Sequence, residues 1–317
     1  MNILFWSSSS LSIPFLKLLK GIKEINIVSV ITTPDKPQGR GLKIKPSEVR
    51  RYAEENKIPI LAPQNLQEDE FIYSLKILNP DLSIVMSYGK IISKKIIEIH
   101  KIGMLNIHFS LLPKYRGAAP IQWCLINGEK NTGVTIFWIN EVLDTGEIFV
   151  QKEVEVSLYD NYYTLSEKLV SVGCELLKDT IFKILSGKII KFPQVGEPSY
   201  APLIKKELGK IDWSKTAFEI HNLIRALVCW PKVYTSVKID NKLINLKIIE
   251  SYLVENKFLC DTSTVGEVVG LDESGIVVLC GGKSFLKILK LQPENRKILS
   301  AEEFICGYRI KKNDRFL

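Results

Sequence analysis

Apolar and polar positions alternate regularly along the first half of the chain. Short apolar runs of strand length are separated by segments whose apolar residues recur at helical spacing. The apolar runs predict strands at Ile3–Trp6, Ile27–Ile31, Leu82–Met86, Met104–Ile107, Val134–Trp138 and Val150–Val156. The amphipathic segments predict helices at Ile13–Gly21, Ser47–Asn56, Glu68–Leu78 and Tyr162–Gly187. This alternation is typical of a doubly wound, mainly parallel α/β sheet, which binds ligands beyond the carboxyl ends of its strands.

The pattern changes after residue 188. Residues 189–206 contain three prolines and little helical period, which is typical of a linker. Beyond them, a predicted helix at Ala217–Leu227 precedes short apolar runs separated by turn-forming residues. These runs predict strands at Val233–Ile239, Leu243–Ser251, Gly266–Gly270, Ile276–Leu279 and Phe285–Leu291. Such strands favour a small β-barrel, so we expect a catalytic domain at 1–188, a linker at 189–206 and a second domain at 207–317.

Composition adds size, charge and compartment to this picture. The chain has 317 residues, of which 46% are apolar, and a formal net charge of +8. Residues 205–317 carry 19 Lys and Arg against 14 Asp and Glu, an excess that suits a polyanion and equally suits a solvated lysine-rich surface. No apolar run reaches the roughly 18 residues of a membrane span, and the N-terminus lacks the basic start of a secretory signal. We therefore expect a cytoplasmic protein.

The cysteines do not form a metal-binding or disulfide pattern. There are six of them, and no two form a CxxC pair. Widely spaced cysteines in a reducing compartment are typical of free thiols, so we predict neither a zinc site nor any other metal centre. Their positions are Cys124, Cys174, Cys229, Cys260, Cys280 and Cys306.

Three histidines narrow the search for chemistry. His100 ends a lysine-rich segment and is interpreted as a solvated residue at a helix end. His221 lies in an amphipathic segment and is interpreted as a surface or core-edge side chain. His108 is different, because it follows a predicted strand and shares one strand face with Asn106. An amide and an imidazole at the end of a strand can stabilise an oxyanion and move a proton.

Asp144 is the candidate partner of His108. It follows the next predicted strand, in the polar turn NEVLDTGEI, at the same end of the sheet. A carboxylate there would fix the protonation of the imidazole. The spacing leaves a structural alternative open, in which His108 caps a strand and Asp144 forms a turn before Gly146.

A basic loop follows the second predicted strand. The segment Thr33–Arg51 holds six cations against two carboxylates. Gly39 and Gly41 flank Arg40, and we expect the three prolines of the segment to prevent regular structure. A flexible arginine can make forked hydrogen bonds to phosphate or guanine, whereas the plain alternative is a solvated surface loop.

Two motifs resemble one family closely. LNIHFSLLPKYRGAAPIQW, followed by NTGVTIFWINEVLDTGEI, resembles the folate-dependent formyltransferases. The resemblance implies that Asn106, His108 and Asp144 are the catalytic group and that the formyl donor is 10-formyltetrahydrofolate. It also implies that the pterin lies in an apolar cleft, held largely by main-chain groups. The matching cleft positions are Lys90, Ile91, Ile92, Ser110, Leu111, Leu112, Pro113, Asn140 and Val142.

Further segments narrow the resemblance to one branch of the family. TPDKPQGRGLKIKP, IDWSKTAFEIHNLIRAL and the closing GYRIKKNDRF resemble enzymes that formylate methionyl-tRNA. The resemblance implies an initiator methionyl-tRNA acceptor, a monomer, and a C-terminal tRNA-binding barrel resembling an oligonucleotide-binding fold. Arg40 is the expected contact with the tRNA acceptor arm, and Lys36, Lys43 and Lys45 are further expected tRNA contacts.

Some positions depart from the family pattern, and other functions stay open. Ser7–Ser9 stands where the family usually has Gly-Thr-Pro, and Phe109 replaces a small residue or proline. A formyltransferase acting on a sugar amine would share the catalytic group but would not need the basic loop. An RNA-binding module on an inactive enzyme scaffold is a second alternative. A nicotinamide enzyme is disfavoured because no glycine fingerprint follows the first strand.

Overall fold

The computed structural model describes residues 1–38, 43–240, 242–254 and 264–317. The chain divides into two compact units. Unit 1 comprises Met1–Pro120, Asn131–Glu155 and Ser166–Pro202. Unit 2 comprises Ile121–Lys130, Val156–Leu165 and Leu203–Leu317. This division into units does not test the predicted domain limits, which stay a prediction.

The strands alternate with helices in the first part of the chain and follow one another in the last part. In chain order they are β1 (Asn2–Ser7), β2 (Asn26–Ile31), β3 (Lys36–Gln38), β4 (Lys43–Lys45), β5 (Ile60–Leu61), β6 (Leu82–Met86), β7 (Gly103–His108), β8 (Asn131–Trp138), β9 (Ile148–Glu155), β10 (Val233–Ile239), β11 (Lys242–Val254), β12 (Val268–Asp272), β13 (Gly275–Cys280), β14 (Ser284–Pro293), β15 (Leu299–Ser300) and β16 (Arg315–Phe316).

The helices range from one turn to 24 residues. They are α1 (Ile13–Lys20), α2 (Glu48–Glu55), α3 (Asp69–Leu78), α4 (Lys94–Ile97), α5 (Pro120–Ile126), α6 (Tyr162–Leu185), α7 (Ala217–Ala226) and α8 (Ala301–Tyr308). Among the described residues, none of these helices is long and apolar enough to span a membrane. The described residues also contain no group of three or more His, Cys, Asp or Glu arranged to hold a metal ion.

Unit 1 contains a seven-stranded sheet in the order β5-β2-β1-β6-β7-β8-β9. The first five strands are parallel, and β8 and β9 are antiparallel. The doubly wound, mainly parallel sheet predicted from the alternation of elements is therefore confirmed. The strands β1 and β6 are buried throughout or nearly so, as expected of strands covered by helices on both faces.

Local sequence signals set the ends of the unit 1 helices. Ser47 begins α2, and its Oγ accepts the main-chain N–H of Arg50 at 3.1 Å. Asn79 ends α3 in the left-handed conformation with φ of 46°, which asparagine adopts more readily than most residues. Both ends fall within one residue of the predicted limits.

His100 is in the core of unit 1, so its interpretation as a solvated residue was wrong. Its side chain is 7% exposed. Nε2 lies 2.6 Å from Oγ of Ser83, and Nδ1 lies 3.1 Å from the carbonyl oxygen of Ile96. The indole of Trp6 donates to the same Ser83 Oγ at 2.9 Å. The lysines around His100 in the sequence point outward while the imidazole completes a buried hydrogen-bond chain.

Unit 2 contains an antiparallel sheet in the order β12-β13-β14-β11-β10-β16, with β15 also paired to β14. The two ends of this order meet, because Glu267 forms a bridge with Arg315. The N–H of Phe316 also donates to the carbonyl of Gly266 at 2.8 Å. The predicted small β-barrel is confirmed, and α7 packs on β11 and β14.

Helix α8 was not predicted, although its start signal is in the sequence. Ser300 and Glu303 form a capping box, in which the Ser300 Oγ accepts the N–H of Glu303 and the Glu303 carboxylate accepts the N–H of Ser300. The helix has only eight residues, so its apolar period is too short to be distinctive.

Three polar side chains of α7 are buried within unit 2: His221, Asn222 and Arg225. His221 is 6% exposed, with Nδ1 3.0 Å from Oγ of Ser251. Arg225 is also 6% exposed and donates to the carbonyls of Ser157 and Asp160 at 3.1 and 2.9 Å. Burial lowers the pKa of His221 and of Arg225. His221 is thus a satisfied buried residue, so of its two predicted interpretations, surface or core-edge, the surface one was wrong.

Candidate active site

Two predicted site residues lie near the end of β7 on one face of the strand. Asn106 and His108 are two positions apart, and alternate residues of a strand point to the same side of the sheet. The antiparallel neighbour β8 places Phe137 opposite Asn106 and Thr135 opposite His108. His108 is buried and Asn106 is partly exposed. Both side chains therefore lie at the carboxyl end of a buried strand, where doubly wound sheets bind their ligands.

His108 contacts a main-chain carbonyl on one side and faces a carboxylate on the other. Its Nε2 lies 2.9 Å from the carbonyl oxygen of Tyr115, and because a carbonyl only accepts, Nε2 carries the hydrogen. Its Nδ1 lies 3.8 Å from Oδ2 of Asp144, and each side chain is 6% exposed. This distance is too long for a hydrogen bond but short enough for an ion pair. Protonation of Nδ1 would therefore place an imidazolium beside a carboxylate.

Asp144 is oriented by a main-chain donor from the loop after β7. The N–H of Gly117 donates to Oδ2 of Asp144 at 2.8 Å. Gly117 has φ of +127°, and a Cβ atom there would lie 2.6 Å from the carbonyl oxygen of Ala201. Only glycine fits this position, so the glycine of the RGAAP motif allows the donor to approach. Nothing in the spacing of Gly117 along the sequence pointed to Asp144.

The loop Ser110–Pro113 is held by two polar side chains of the antiparallel strands. The hydroxyl of Thr135 donates to the Ser110 carbonyl at 2.6 Å and accepts the Leu112 N–H at 3.2 Å. The amide of Gln151 donates to the Leu112 carbonyl and to the Thr135 hydroxyl, both at 2.8 Å. The sequence analysis did not predict that Thr135 and Gln151 hold this loop. All four residues of this loop were predicted to line the folate cleft. Ser110, Leu112 and Pro113 are buried, and Leu111 is partly exposed.

The other predicted folate positions differ widely in exposure. Lys90 donates from Nζ to the carbonyls of Pro63 and Gln64 at 3.0 and 2.7 Å. Its side chain therefore connects the loop after β6 to the residues that follow β5. Ile91 is 76% exposed, whereas Ile92 is 6% exposed and belongs to a hydrophobic core cluster that includes Trp6 and Val85. Ile91 is therefore the apolar side chain of this trio that a ligand can reach.

The turn before Asp144 is ordered by its own side chains. Oδ1 of Asn140 accepts the N–H of Val142 at 3.1 Å and the hydroxyl of Thr145 at 3.0 Å. Val142 is 63% exposed. The Val142 side chain is therefore accessible, whereas the side-chain oxygen of Asn140 accepts hydrogen bonds from within the turn. A role for both residues in folate binding stays a prediction.

The basic loop contains a short ribbon that the prolines did not exclude. Strands β3 and β4 pair in antiparallel register, with Lys36 opposite Lys45 and Gln38 opposite Lys43. Proline is tolerated in such a ribbon because each strand has a free edge that needs no ladder N–H. The expectation of no regular structure was therefore wrong for these positions. Arg40 lies outside the described residues.

Side-chain contacts hold both ends of this basic loop. Arg50 forms an ion pair with Asp35 at 2.9 Å, and its Nε donates to Glu54 at 2.9 Å. The hydrogen bond to Glu54 raises the pKa of Arg50. At the start of the loop, the Ser8 Oγ accepts the N–H of Thr33 at 3.2 Å. The serine run that departs from the family pattern thus connects the end of β1 to the start of the basic loop.

Comparison with known proteins identifies both parts of the chain. Residues 1–181 match the family described as formyl transferase, and residues 203–309 match the formyl transferase C-terminal domain. A methionyl-tRNA formyltransferase from Thermodesulfovibrio yellowstonii is 44% identical over 312 residues, which cover 98% of this chain and 97% of the relative. A second, from a Sulfurihydrogenibium species, is 40% identical over the full length of both chains.

Solved structures agree on the fold. The N-formyltransferase of Helicobacter canadensis, in complex with folinic acid and dTDP-3-aminofucose, is 24% identical with a TM-score of 0.65. That match covers 92% of this chain and 98% of the other. A sugar 3N-formyl transferase is 23% identical with a TM-score of 0.63, covering 94% of this chain and 99% of the other. Because both family segments occur in order and the relatives align over their full length, the chain belongs to the formyl transferase family, in its methionyl-tRNA formyltransferase branch.

Proposed function

We propose that this chain transfers the formyl group of 10-formyltetrahydrofolate to the α-amino group of methionyl initiator tRNA. The observation that carries the proposal is the placement of His108, with one ring nitrogen on a main-chain carbonyl and the other 3.8 Å from Asp144. The full-length relatives named methionyl-tRNA formyltransferase support the reaction and the acceptor.

The first step is attack of the methionyl amine on the formyl carbon. The amine lone pair forms the new C–N bond, and the formyl C=O bond gives its π electrons to oxygen. The side-chain amide N–H of Asn106 and the Nδ1–H of protonated His108 are the donors for this oxyanion, because the Nε2–H of His108 is used by the Tyr115 carbonyl. One well-placed donor of this kind contributes about 3–4 kcal/mol to a transition state. Asp144 balances the charge of the imidazolium during the step.

The second step breaks the bond between the formyl carbon and N10 of the folate. The oxyanion restores the carbonyl, N10 leaves with the bonding electron pair, and N10 gains one proton for the one lost by the amine. Asp144 takes up the amine proton, directly or through one water, and His108 gives its Nδ1 proton to N10. The proton on Asp144 then restores protonated His108. The products are formylmethionyl-tRNA and tetrahydrofolate, and all atoms of the two substrates are retained.

The remaining predicted site residues are assigned to the binding of one or the other substrate. We propose Lys90–Ile92, Ser110–Pro113, Asn140 and Val142 as the folate cleft, since apolar walls with a few polar groups suit a flat heteroaromatic ligand. We propose Arg40, Lys36, Lys43 and Lys45 as tRNA contacts, and residues 207–317 as a tRNA-binding domain. We also propose that the protein acts as a monomer in the cytoplasm.

The decisive experiment measures formyl transfer from 10-formyltetrahydrofolate to initiator and elongator methionyl-tRNA. We expect strong transfer that favours the initiator and falls at least about 10-fold in kcat/KM in Arg40→Ala, because a forked phosphate or base contact is lost. Arg51→Ala is the matched control, since Arg51 is an exposed cation on α2 that pairs with Glu48 at 3.5 Å. Equal loss in both variants would refute the assignment of Arg40.

The same assay separates the sugar-amine alternative. Absence of transfer to either tRNA, together with transfer to a nucleotide-linked amino sugar, would refute the tRNA acceptor and keep the formyltransferase chemistry. Loss of any binding of 10-formyltetrahydrofolate would refute the enzyme assignment itself and favour an RNA-binding module.

A further inference from the structure

The segment from Gln194 to Ala201 lies against the loop that follows β7. Ser199 receives two main-chain N–H groups of that loop: its Oγ accepts from Tyr115 at 2.9 Å and its carbonyl accepts from Arg116 at 2.8 Å. The N–H of Ala201 returns a bond to the carbonyl of Arg116 at 2.7 Å. The sequence treated this segment as part of a linker, yet it is paired strand-fashion with the loop that supports His108 and Asp144.

Gln194 connects this segment to the turn that carries Asp144. Its Nε2 donates to the carbonyl oxygens of Asp144 and Gly146, each at 2.9 Å. Its Oε1 accepts from Arg116, at 2.7 Å from Nη2 and 3.3 Å from Nε. Both amide hydrogens and the amide oxygen are thus engaged, which defines one orientation of the side chain.

The turn held by Gln194 has an unfavourable backbone. Asp144 adopts φ of 53°, in the left-handed region that aspartate enters more readily than most residues with a Cβ atom but that still costs free energy. Gly146 fits closely, since a Cβ atom there would lie 1.6 Å from the carbonyl oxygen of Trp138. A conformation of this kind persists only when surrounding contacts hold it. The two hydrogen bonds from Gln194 act on the main chain at both ends of the strained turn.

We infer that Gln194 is a positioning residue for Asp144, and that Arg116 orients the Gln194 amide. Arg116 precedes Gly117, whose N–H binds the Asp144 carboxylate. One connected set of hydrogen bonds therefore holds Asp144 by its main chain and by its carboxylate. The inference rests on the proposed function, because it matters for catalysis only if Asp144 acts beside His108.

The kinetic test compares Gln194→Ala and Gln194→Glu with wild type in the formyl transfer assay. We expect Gln194→Ala to lower kcat about 10-fold or more while KM for both substrates changes less than about 2-fold, since misplacement of a catalytic group slows the chemical step. Gln194→Glu keeps an acceptor for Arg116 but has no donor for the two carbonyls, so we expect a loss at least as large. Val195→Ala, in an 83% exposed neighbour, is the control and should retain wild-type rates.

Wild-type activity in Gln194→Glu would overturn the inference, because it would show that holding Arg116 is sufficient. An increase in KM with kcat unchanged would also overturn it, since Gln194 would then act on substrate binding.

A spectroscopic test decides the inference even if the proposed acceptor is wrong. The chain has three histidines, so ¹⁵N-histidine labelling of the full chain gives a spectrum in which His108 can be assigned from His108→Asn. We expect the ring resonances of His108 at pH 7 to move in Gln194→Ala and Gln194→Glu toward their position in Asp144→Asn. The resonances of His100 and His221 should stay in place and report an intact fold. Unmoved His108 resonances would overturn the inference whether or not methionyl-tRNA is the acceptor.

Discussion

His108 and His100 are equally buried histidines of unit 1 in two different environments. His108 is 6% exposed and His100 is 7% exposed. His100 has a neutral partner on each nitrogen: Nδ1 donates to the Ile96 carbonyl, so Nε2 is the nitrogen that accepts from the Ser83 hydroxyl. His108 carries its hydrogen on the opposite nitrogen, Nε2, and presents Nδ1 to a carboxylate.

The difference lies in the partners and not in the burial. Both nitrogens of the neutral His100 ring have hydrogen-bond partners, and burial lowers its pKa, so the ring is neutral at pH 7. The His108 ring gains an ion-pair partner when it is protonated, because Asp144 lies 3.8 Å from the free nitrogen. The partners of His100 satisfy the neutral ring alone, whereas Asp144 would also form an ion pair with a protonated His108 ring. That difference separates a structural histidine from the one for which we propose a role in proton transfer.

The largest expected effect comes from removing the donors at the end of β7. We expect His108→Ala and Asn106→Ala each to lower kcat about 100-fold or more, because each removes a proposed donor to the oxyanion. Steady-state formyl transfer and far-UV circular dichroism give the rate and the fold. The matched variant His100→Leu should keep kcat within about 2-fold of wild type. Retained activity in both β7 variants would contradict the proposed catalytic group.

Removing only the charge at Asp144 should have the next largest effect. Asp144→Asn keeps an oxygen to accept the Gly117 N–H but loses the ion-pair partner of His108. We expect kcat to fall about 10- to 100-fold with little change in KM, since the charge is needed while His108 is protonated. An unchanged kcat would mean that His108 works without a carboxylate.

For the structural histidine, we expect His100→Leu to lower the stability of the protein and not the rate of formyl transfer. His100→Leu leaves the Ser83 hydroxyl and the Ile96 carbonyl with one hydrogen bond fewer in a buried site. We expect the free energy of unfolding to fall by about 1–3 kcal/mol, measured by urea denaturation. A variant as stable as wild type would show that the buried chain through Trp6 and Ser83 contributes no net free energy.

The smallest expected effect is a pH dependence of that same stability difference. The pKa of His100 is lowered by burial in the folded state, so the unfolded chain binds the proton first as the pH falls. The contribution of His100 is therefore present above the unfolded pKa of about 6.5 and is lost on acidification. We expect the stability gap between wild type and His100→Leu to narrow between pH 7 and pH 5. A constant gap would contradict the lowered pKa.

Much of the fold and part of the site could be predicted from the sequence. The strand runs in the first half and the barrel strands in the second appear where the period of apolar residues placed them, because burial on a sheet imposes that period locally. The spacing of Asn106 and His108 also has a local meaning, since two residues along a strand share one face. Short elements such as α8 were missed because their period is too brief to recognise.

The sequence alone determined which segments form strands and helices, and the motifs that place this chain in its family. Only the tertiary structure decided which histidine is buried against neutral partners and which faces Asp144. Only it brought Gln194, from a proline-containing segment, to the main chain of the Asp144 turn. The physical reason is that side-chain periodicity indicates which face of a strand or helix is buried. It does not report which distant donor or acceptor the folded chain brings to that residue.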